Sequence, residues 1–102
     1  MSDKTTTRPG AKASKQPLRR PEDVSVLVVD DEPDVVVFLS SVLEDAGINV
    51  HTAYDGDQAE EILKTEKVDL ISLDLVMPRK SGIRLFMDLR RTKEWSTIPV
   101  IF

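Results

Sequence analysis

Hydrophobic residues in this chain follow two alternating patterns, short runs that are mostly apolar and stripes of spaced apolar residues. The mostly apolar runs over residues 24–29 and 68–73 are typical of strands that are covered on both faces of a sheet. Shorter runs over residues 48–53 and 97–102 predict two further strands. Between these runs, apolar residues recur every three or four positions, which predicts helices. Strands that alternate with helices predict an α/β fold, a doubly wound parallel sheet with helices on both faces.

Local signals predict where the three helices begin and end. Pro33 suits the first turn of a helix, where its missing N–H costs nothing, and Gly47 is a natural stop for that helix. Asp57 followed by Glu60 resembles a capping box at the start of the second helix. Ser81 is the expected N-cap of the third helix.

The fourth predicted strand is apolar and ends with the last residue, Phe102. An apolar strand at an uncovered edge of a sheet is an aggregation liability. We therefore expect a sequence that is truncated, a sheet that is incomplete after its fourth strand, and an isolated chain that is a marginal or aggregation-prone monomer.

Charge divides the chain into a basic segment and an acidic domain. The first 21 residues hold six basic residues and one acidic residue, although the 102-residue chain has a net charge of −4. This segment is poor in apolar residues, so we expect residues 1–22 to be a disordered basic tail and residues 23–102 to form one domain. The tail lacks aromatic residues and a clustered Lys/Arg run, so no direct nucleic-acid contact is expected.

The sequence disfavours a membrane-spanning protein and a secreted protein. No apolar run approaches the length of about 20 residues that a membrane span needs, and the N-terminus lacks the apolar core of a signal peptide. The chain has no cysteine, which excludes disulfides and thiolate zinc sites and favours a cytoplasmic location.

Three aspartates follow the two longest apolar runs. Asp30 and Asp31 come directly after residues 24–29, and Asp74 comes directly after residues 68–73. Parallel strands deliver their carboxyl ends to one edge of a sheet, where converging carboxylates repel one another unless a cation neutralises them. Carboxylate oxygens are ligands that Mg²⁺ prefers, so we expect a Mg²⁺ site. The alternative is that each acid merely caps a helix or a turn.

The same three acids indicate phosphoryl chemistry rather than nucleotide binding. A dinucleotide site needs glycines after the first strand, and this chain has Asp30-Asp31-Glu32-Pro33 there. A carboxylate can instead act as a nucleophile toward phosphorus and form an aspartyl phosphate, and Mg²⁺ stabilises the transferred group.

The runs Val26-Leu-Val-Val-Asp-Asp-Glu-Pro33, Asp69-Leu-Ile-Ser-Leu-Asp-Leu-Val-Met-Pro78 and Ser81-Gly82 resemble the receiver domain of two-component response regulators. The resemblance covers nearly all of residues 24–102. It implies a flavodoxin-like (CheY-like) sheet, and a phosphoacceptor domain that assists its own phosphorylation without being an enzyme otherwise. It also implies a sensor histidine kinase or phosphotransfer protein as donor, and an output domain or effector protein as a further partner.

The resemblance also implies the roles of single residues. Asp74 would be the phosphoacceptor. Asp31, Asp74 and the backbone carbonyl of Val76 would bind Mg²⁺, and Asp30 would act on it mainly through water. Pro78 and Gly82 would shape the loop after the phosphorylated strand. The Ser or Thr and the Lys that complete such sites would fall beyond Phe102.

Two other functions share part of this pattern. Because those switch residues are missing, the chain can be interpreted as a truncated interaction module that is not phosphorylated. A phosphatase of the haloacid dehalogenase kind also has a nucleophilic Asp at a strand end, but it requires a second Asp where this chain has Val76. The phosphatase is therefore excluded.

Overall fold

Four strands alternate with three helices in the computed structural model, which describes residues 19–77 and 81–102. A short 3₁₀ helix, Pro21–Asp23, precedes them. The order of elements is β1 (Ser25–Val29), α1 (Pro33–Asp45), β2 (Asn49–Ala53), α2 (Gly56–Thr65), β3 (Leu70–Leu73), α3 (Gly82–Arg91) and β4 (Val100–Ile101).

All four strands form one parallel sheet, in the order β2-β1-β3-β4. The chain first moves from β1 to β2, and then returns across β1 to β3 and β4. With right-handed crossovers, this reversal places α1 on one face of the sheet and α2 and α3 on the other. The predicted doubly wound parallel sheet is confirmed.

The side chains of β1 alternate between two separate apolar layers, one on each face of the sheet. Leu27 and Val29 are buried in the larger layer, together with residues of α2 and α3. Val26 and Val28 are buried in the smaller layer, where Val36 of α1 packs on them. Because both faces of β1 are covered, its sequence is an unbroken apolar run.

Each strand is shorter than its apolar run, and β4 differs most. It covers only Val100–Ile101, although the run was expected to be a strand from residue 97. Pro99 has no N–H to donate, and only its carbonyl joins the sheet, accepting from the Ile71 N–H at 2.9 Å. The preceding residues form turns that Arg90 ties down by donating to the carbonyls of Ser96 and Ile98.

The predicted start of α2 was wrong by two residues. Asp55, and not Asp57, is the N-cap, and its carboxylate accepts from the Gln58 N–H at 2.8 Å. The Gln58 side chain accepts in turn from the Tyr54 N–H. Asp followed three residues later by Gln is itself a capping pattern, and here it prevails because the Asp55 side chain is buried.

The other helix boundaries agree with their sequence signals. The Ser81 hydroxyl accepts from the Arg84 N–H, so Ser81 is the N-cap of α3 as predicted. Gly47 follows α1 with a φ of 87°, a left-handed conformation that favours glycine. None of the helices in the described ranges is long and apolar enough to cross a membrane.

The segment before β1 is fastened to the amino end of the sheet. Arg19, which the sequence assigned to the tail, forms a two-pronged ion pair with Asp69, with nitrogen–oxygen distances of 3.0 and 3.1 Å. Asp69 also accepts from the Ser25 N–H at 2.8 Å, so one carboxylate joins this segment to the start of β1 and β3. Asn49, the first residue of β2, donates to the Glu22 carbonyl. The remaining part of the predicted tail, residues 1–18, lies outside the described residues.

The ion pair at Asp69 predicts a pH-dependent contribution to stability. The hydrogen bond from Arg19 and then that from Ser25 hold the pKa of Asp69 below its ordinary value. A carboxylate with a lowered folded pKa stabilises the fold above its unfolded pKa, and this stabilisation is lost as pH falls through the folded pKa. We expect Asp69→Asn to lower the urea midpoint at neutral pH, and this deficit to shrink below about pH 4.

Urea unfolding of both chains across a pH series measures this deficit. Arg20→Gln is the control, because it removes only a longer contact between two exposed side chains, 3.6 Å from Arg20 to Glu22. A deficit for Asp69→Asn that stays constant into acid would contradict the prediction.

Ser40 on α1 carries a buried hydroxyl without a hydrogen-bond partner among the described residues. An unpaired buried hydroxyl is costly, and alanine favours a helix more than serine does. Ser41 lies on the exposed side of α1, so Ser41→Ala gains only the higher helix propensity of alanine. We expect Ser40→Ala to raise the free energy of unfolding by about 1 kcal/mol more than Ser41→Ala does, as measured by urea unfolding. Equal gains for the two variants would show that the Ser40 hydroxyl is paired.

Candidate functional site

The three aspartates predicted to converge lie together at the carboxyl edge of the sheet. Asp30, Asp31 and Asp74 each present a carboxylate oxygen, and these oxygens lie within 4.8 Å of one another. All three residues are partly buried, so solvent still reaches the cluster. Among the candidate residues, these are the ones whose side chains the fold brings together.

Backbone hydrogen bonds that extend the sheet hold two of these aspartates in place. The Asp74 N–H donates to the Val29 carbonyl at the end of β1, at 2.9 Å. The Asp30 N–H donates to the Ala53 carbonyl at the end of β2, at 3.1 Å. Asp30 and Asp74 are therefore fixed by the sheet itself, one residue beyond the last regular pair.

Each of the two carboxylates also accepts a local N–H. Asp30 Oδ1 accepts from Glu32 at 2.9 Å, and Asp74 Oδ1 accepts from Val76 at 3.1 Å. These contacts orient the carboxylates, because each ties one oxygen to the backbone two residues later. No other donor among the described residues reaches the second oxygen of Asp74.

Val76 follows Asp74 by two positions and is joined to it through its own backbone. Its N–H is engaged with Asp74, and its side chain is 79% exposed. Pro78, Arg79 and Lys80 lie outside the described residues. The expected role of Pro78 in shaping the loop therefore stays a prediction.

A cleft of about 450 Å³ opens beside Asp30 and Asp74. The sequence did not predict the remaining lining residues, among them Leu39, Ser72 and Phe102. Ser72 could have been found, because it precedes Asp74 by two positions and a strand places such residues on one face. Leu39 comes from α1 and Phe102 from the end of β4, so only the packing of those elements brings them to the cleft.

Gly82 permits the close approach of α3 to the acidic edge. A Cβ atom at this position would meet the carbonyl oxygen of Asp74 and lie 2.6 Å from the Cα of Leu75. The Gly82 N–H donates to the Leu75 carbonyl at 3.1 Å, which closes the loop after β3. Backbone atoms cannot move aside as a flexible side chain does, so only glycine fits here.

Two glycine substitutions separate this close approach from backbone strain. Gly47→Ala adds left-handed strain of about 1 kcal/mol, while its Cβ would make an ordinary contact of 3.5 Å with Pro21. We expect Gly82→Ala to lower the free energy of unfolding by more than Gly47→Ala does, because it forces apart the backbones of α3 and residues 74–75. Urea unfolding of the two variants measures the difference, and a smaller loss for Gly82→Ala would contradict it.

The residues present fit a hard divalent cation. Three carboxylates supply only oxygen donors, and their partial exposure leaves room for the waters that Mg²⁺ retains. A doubly wound sheet with an acidic cluster at its carboxyl edge thus defines a flavodoxin-like α/β domain with a site suited to Mg²⁺.

Comparison with known proteins defines the family. Residues 26–102 match the response regulator receiver domain. The chain belongs to this family, whose role in two-component signalling is to accept a phosphoryl group and whose members generally bind Mg²⁺ at an acidic pocket.

Curated relatives are similar over most of this chain but are much longer. The alkaline phosphatase synthesis transcriptional regulatory protein PhoP of Bacillus subtilis is 46% identical over 68 residues, which are 67% of this chain and 28% of PhoP. The transcriptional regulatory protein CpxR of Escherichia coli is 41% identical over 76 residues, 74% of this chain and 31% of CpxR. The chain therefore spans less than a third of the length of these relatives.

Solved structures show the same fold. The chemotaxis response regulator CheY4 of Vibrio cholerae superposes with a TM-score of 0.72 at 31% identity, covering 76% of this chain and 64% of CheY4. A response regulator receiver protein from Pseudomonas putida gives a TM-score of 0.73 at 28% identity, covering 81% of this chain and 66% of that protein. The predicted flavodoxin-like (CheY-like) fold is confirmed.

Proposed function

We propose that Asp74 is the phosphoacceptor of this receiver domain. The observation that carries the proposal is the convergence of three carboxylates within 4.8 Å at the carboxyl edge of the sheet. Asp74 and Asp30 line the adjoining cleft, where a phosphoryl donor can approach. Asp74 suits the nucleophile because the Val76 N–H orients one of its oxygens, while the other accepts from no donor among the described residues.

The proposed reaction is a transfer between two proteins. An Asp74 carboxylate oxygen attacks the phosphorus of a phosphohistidine, the new P–O bond forms, and the P–N bond to the imidazole breaks. The imidazole leaves with the bonding electron pair and takes a proton from solvent. The product is an acyl phosphate on Asp74, which brings about −2 charge to the edge of the sheet.

We assign the Mg²⁺ site to the same acids. Asp31, Asp74 and the backbone carbonyl of Val76 would be the direct ligands, and Asp30 would act on the cation mainly through water. Mg²⁺ bound there supplies positive charge that offsets the repulsion between the carboxylates and the incoming phosphoryl oxygens. In this way the domain assists its own phosphorylation, while the kinase supplies the phosphoryl group.

The proposed partners follow from the transfer. A sensor histidine kinase or phosphotransfer protein donates the phosphoryl group to this chain in the cytoplasm, and an output domain or a separate effector protein responds to it. Two of the similar proteins are named transcriptional regulatory proteins, which supports an output of this kind without identifying it.

A small acyl phosphate tests the assignment of Asp74. We expect the chain, incubated with Mg²⁺ and acetyl phosphate, to gain the mass of one phosphoryl group in intact-mass spectrometry. Asp74→Asn removes the nucleophile, so the adduct should disappear, whereas Asp45→Asn on the exposed end of α1 should leave it unchanged. An adduct that survives Asp74→Asn would contradict the assignment.

The same assay tests the Mg²⁺ site. Removal of Mg²⁺ by a chelator, or Asp31→Asn in its presence, should slow formation of the adduct at least about tenfold, since even the supporting residues around a metal site contribute that much. A rate that does not respond to Mg²⁺ would contradict the metal assignment alone.

The second candidate function, an interaction module that is not phosphorylated, predicts another outcome. A folded chain, verified by circular dichroism, would then acquire no adduct at any concentration of acetyl phosphate. Its binding to a kinase would also be the same before and after Asp74→Asn.

A further inference from the structure

A cleft of about 340 Å³, called here the Trp95 cleft, opens at the amino edge of the sheet. Its apolar wall is made by Leu63, Val68, Trp95 and Ile98, which belong to the larger apolar layer or pack against it. Val68 precedes β3 and Ile98 precedes β4, so the cleft lies where these two strands begin. It is therefore at the opposite edge of the sheet from the three aspartates.

The backbone that carries Trp95 is held by hydrogen bonds on both sides. The Trp95 N–H donates to the Thr92 carbonyl at 3.0 Å, and the Ile98 N–H donates to the Trp95 carbonyl at 3.1 Å. The Arg90 side chain donates to the carbonyls of Ser96 and Ile98. Trp95 is nevertheless only partly buried, so a large apolar side chain in a fixed position is left open to a further contact.

One carboxylate of the Trp95 cleft is unpaired. Glu66 and Lys67 line the cleft with opposite charges, and Glu66 also lies 3.9 Å from His51. The Glu94 side chain has neither an ion pair nor a hydrogen bond among the described residues, although it lies directly beside Trp95 in the cleft. An apolar wall with an unpaired carboxylate suits an occupant that carries apolar and basic side chains close together.

The chain enters the described part of the fold beside this cleft. Arg19, the first described residue, donates two hydrogen bonds to the Asp69 carboxylate, and Asp69 directly follows Val68 of the cleft wall. The four residues before Arg19 span at most about 14 Å when extended. Residues 15–18 therefore begin next to the cleft and need no linker to reach it.

Residues 15–18 have the composition that suits the cleft. Their sequence is Lys15-Gln-Pro-Leu18, and Leu18 is the only leucine, isoleucine, valine or aromatic residue among the first 18 residues. Pro17 has a fixed φ and loses less entropy on binding, a property that proline-containing segments use when they bind grooves lined by aromatic residues. Lys15 supplies a basic side chain within the same four residues.

We propose that the Trp95 cleft binds residues 15–18 of the same chain. The two apolar residues of this segment pack on the apolar wall, and Lys15 pairs with Glu94. With the ion pair of Arg19, this contact attaches the start of the domain to the amino edge of the sheet at two neighbouring points. It leaves the acidic cluster at the other edge accessible to a phosphoryl donor, and it does not depend on phosphorylation.

Fluorescence of Trp95, the single tryptophan of the chain, tests the proposal in the complete protein. We expect Leu18→Ser to shift the emission maximum to longer wavelength and to raise the quenching constant for acrylamide, because water and quencher then reach the ring. Ala13→Ser makes a polar substitution outside the proposed contact and should change neither quantity. Circular dichroism verifies that both variants are folded.

A charge exchange gives a second, independent test with the same uncharged quencher. Glu94→Lys should raise the quenching constant, and Lys15→Glu added to it should lower the constant again, whereas Lys4→Glu added to it should not. An unchanged constant in Leu18→Ser, an equal change in Ala13→Ser, or equal rescue by both added glutamates would each overturn the proposal. A quenching constant that depends on protein concentration would assign the cleft to a second copy of the chain and overturn it too.

Discussion

The parallel pairing of β1 with β3 is the constraint on which the site depends. Its register ends with Val29 opposite Leu73, so the next residues of both strands, Asp30 and Asp74, lie side by side. The register is fixed by burial, since side chains alternate between two apolar layers and a shift by one residue would move each to the wrong layer. The register that packs the core therefore also sets the relative position of the carboxylates.

The acidic edge concentrates repulsion where the sheet ends. Backbone hydrogen bonds from Asp74 to Val29 and from Asp30 to Ala53 hold the carboxylates in place despite their like charges. Gly82 adds to this confinement, because α3 approaches so closely that a side chain has no space. At the proposed Mg²⁺ site, a bound cation would relieve a repulsion between carboxylates that the fold already imposes.

An aspartate lies at each end of β3, and the two have different surroundings. At its start, Asp69 is paired with Arg19, so the negative charge is neutralised within the chain and fastens the amino end of the sheet. At its other end, Asp74 lies beside two further acids, and no basic side chain among the described residues pairs with it. Aspartate thus pairs with a base at one end of the strand, and at the other end it is the proposed phosphoacceptor.

The sequence alone determined the order of elements, the parallel sheet and the identity of the three acids. Mostly apolar runs followed by aspartates are local patterns, and the alternation of strands and helices restricts the topology so strongly that the aspartates must converge. The caps at Gly47 and Ser81 were also predictable, because their hydrogen bonds or backbone angles involve only nearby residues. The start of α2 was predicted at the wrong residue, because the capping patterns that begin at Asp55 and at Asp57 overlap. Only the burial of the Asp55 side chain selects between them.

Only the tertiary structure decided which distant residues meet. Arg19 and Asp69 are 50 positions apart in the sequence, and Phe102 joins the cleft of Asp74 through the packing of β4. The need for glycine at position 82 likewise appears only when the backbone of residues 74–75 is in place. Such contacts depend on distances between elements, and hydrophobic periodicity fixes the faces of those elements but not the distances between them.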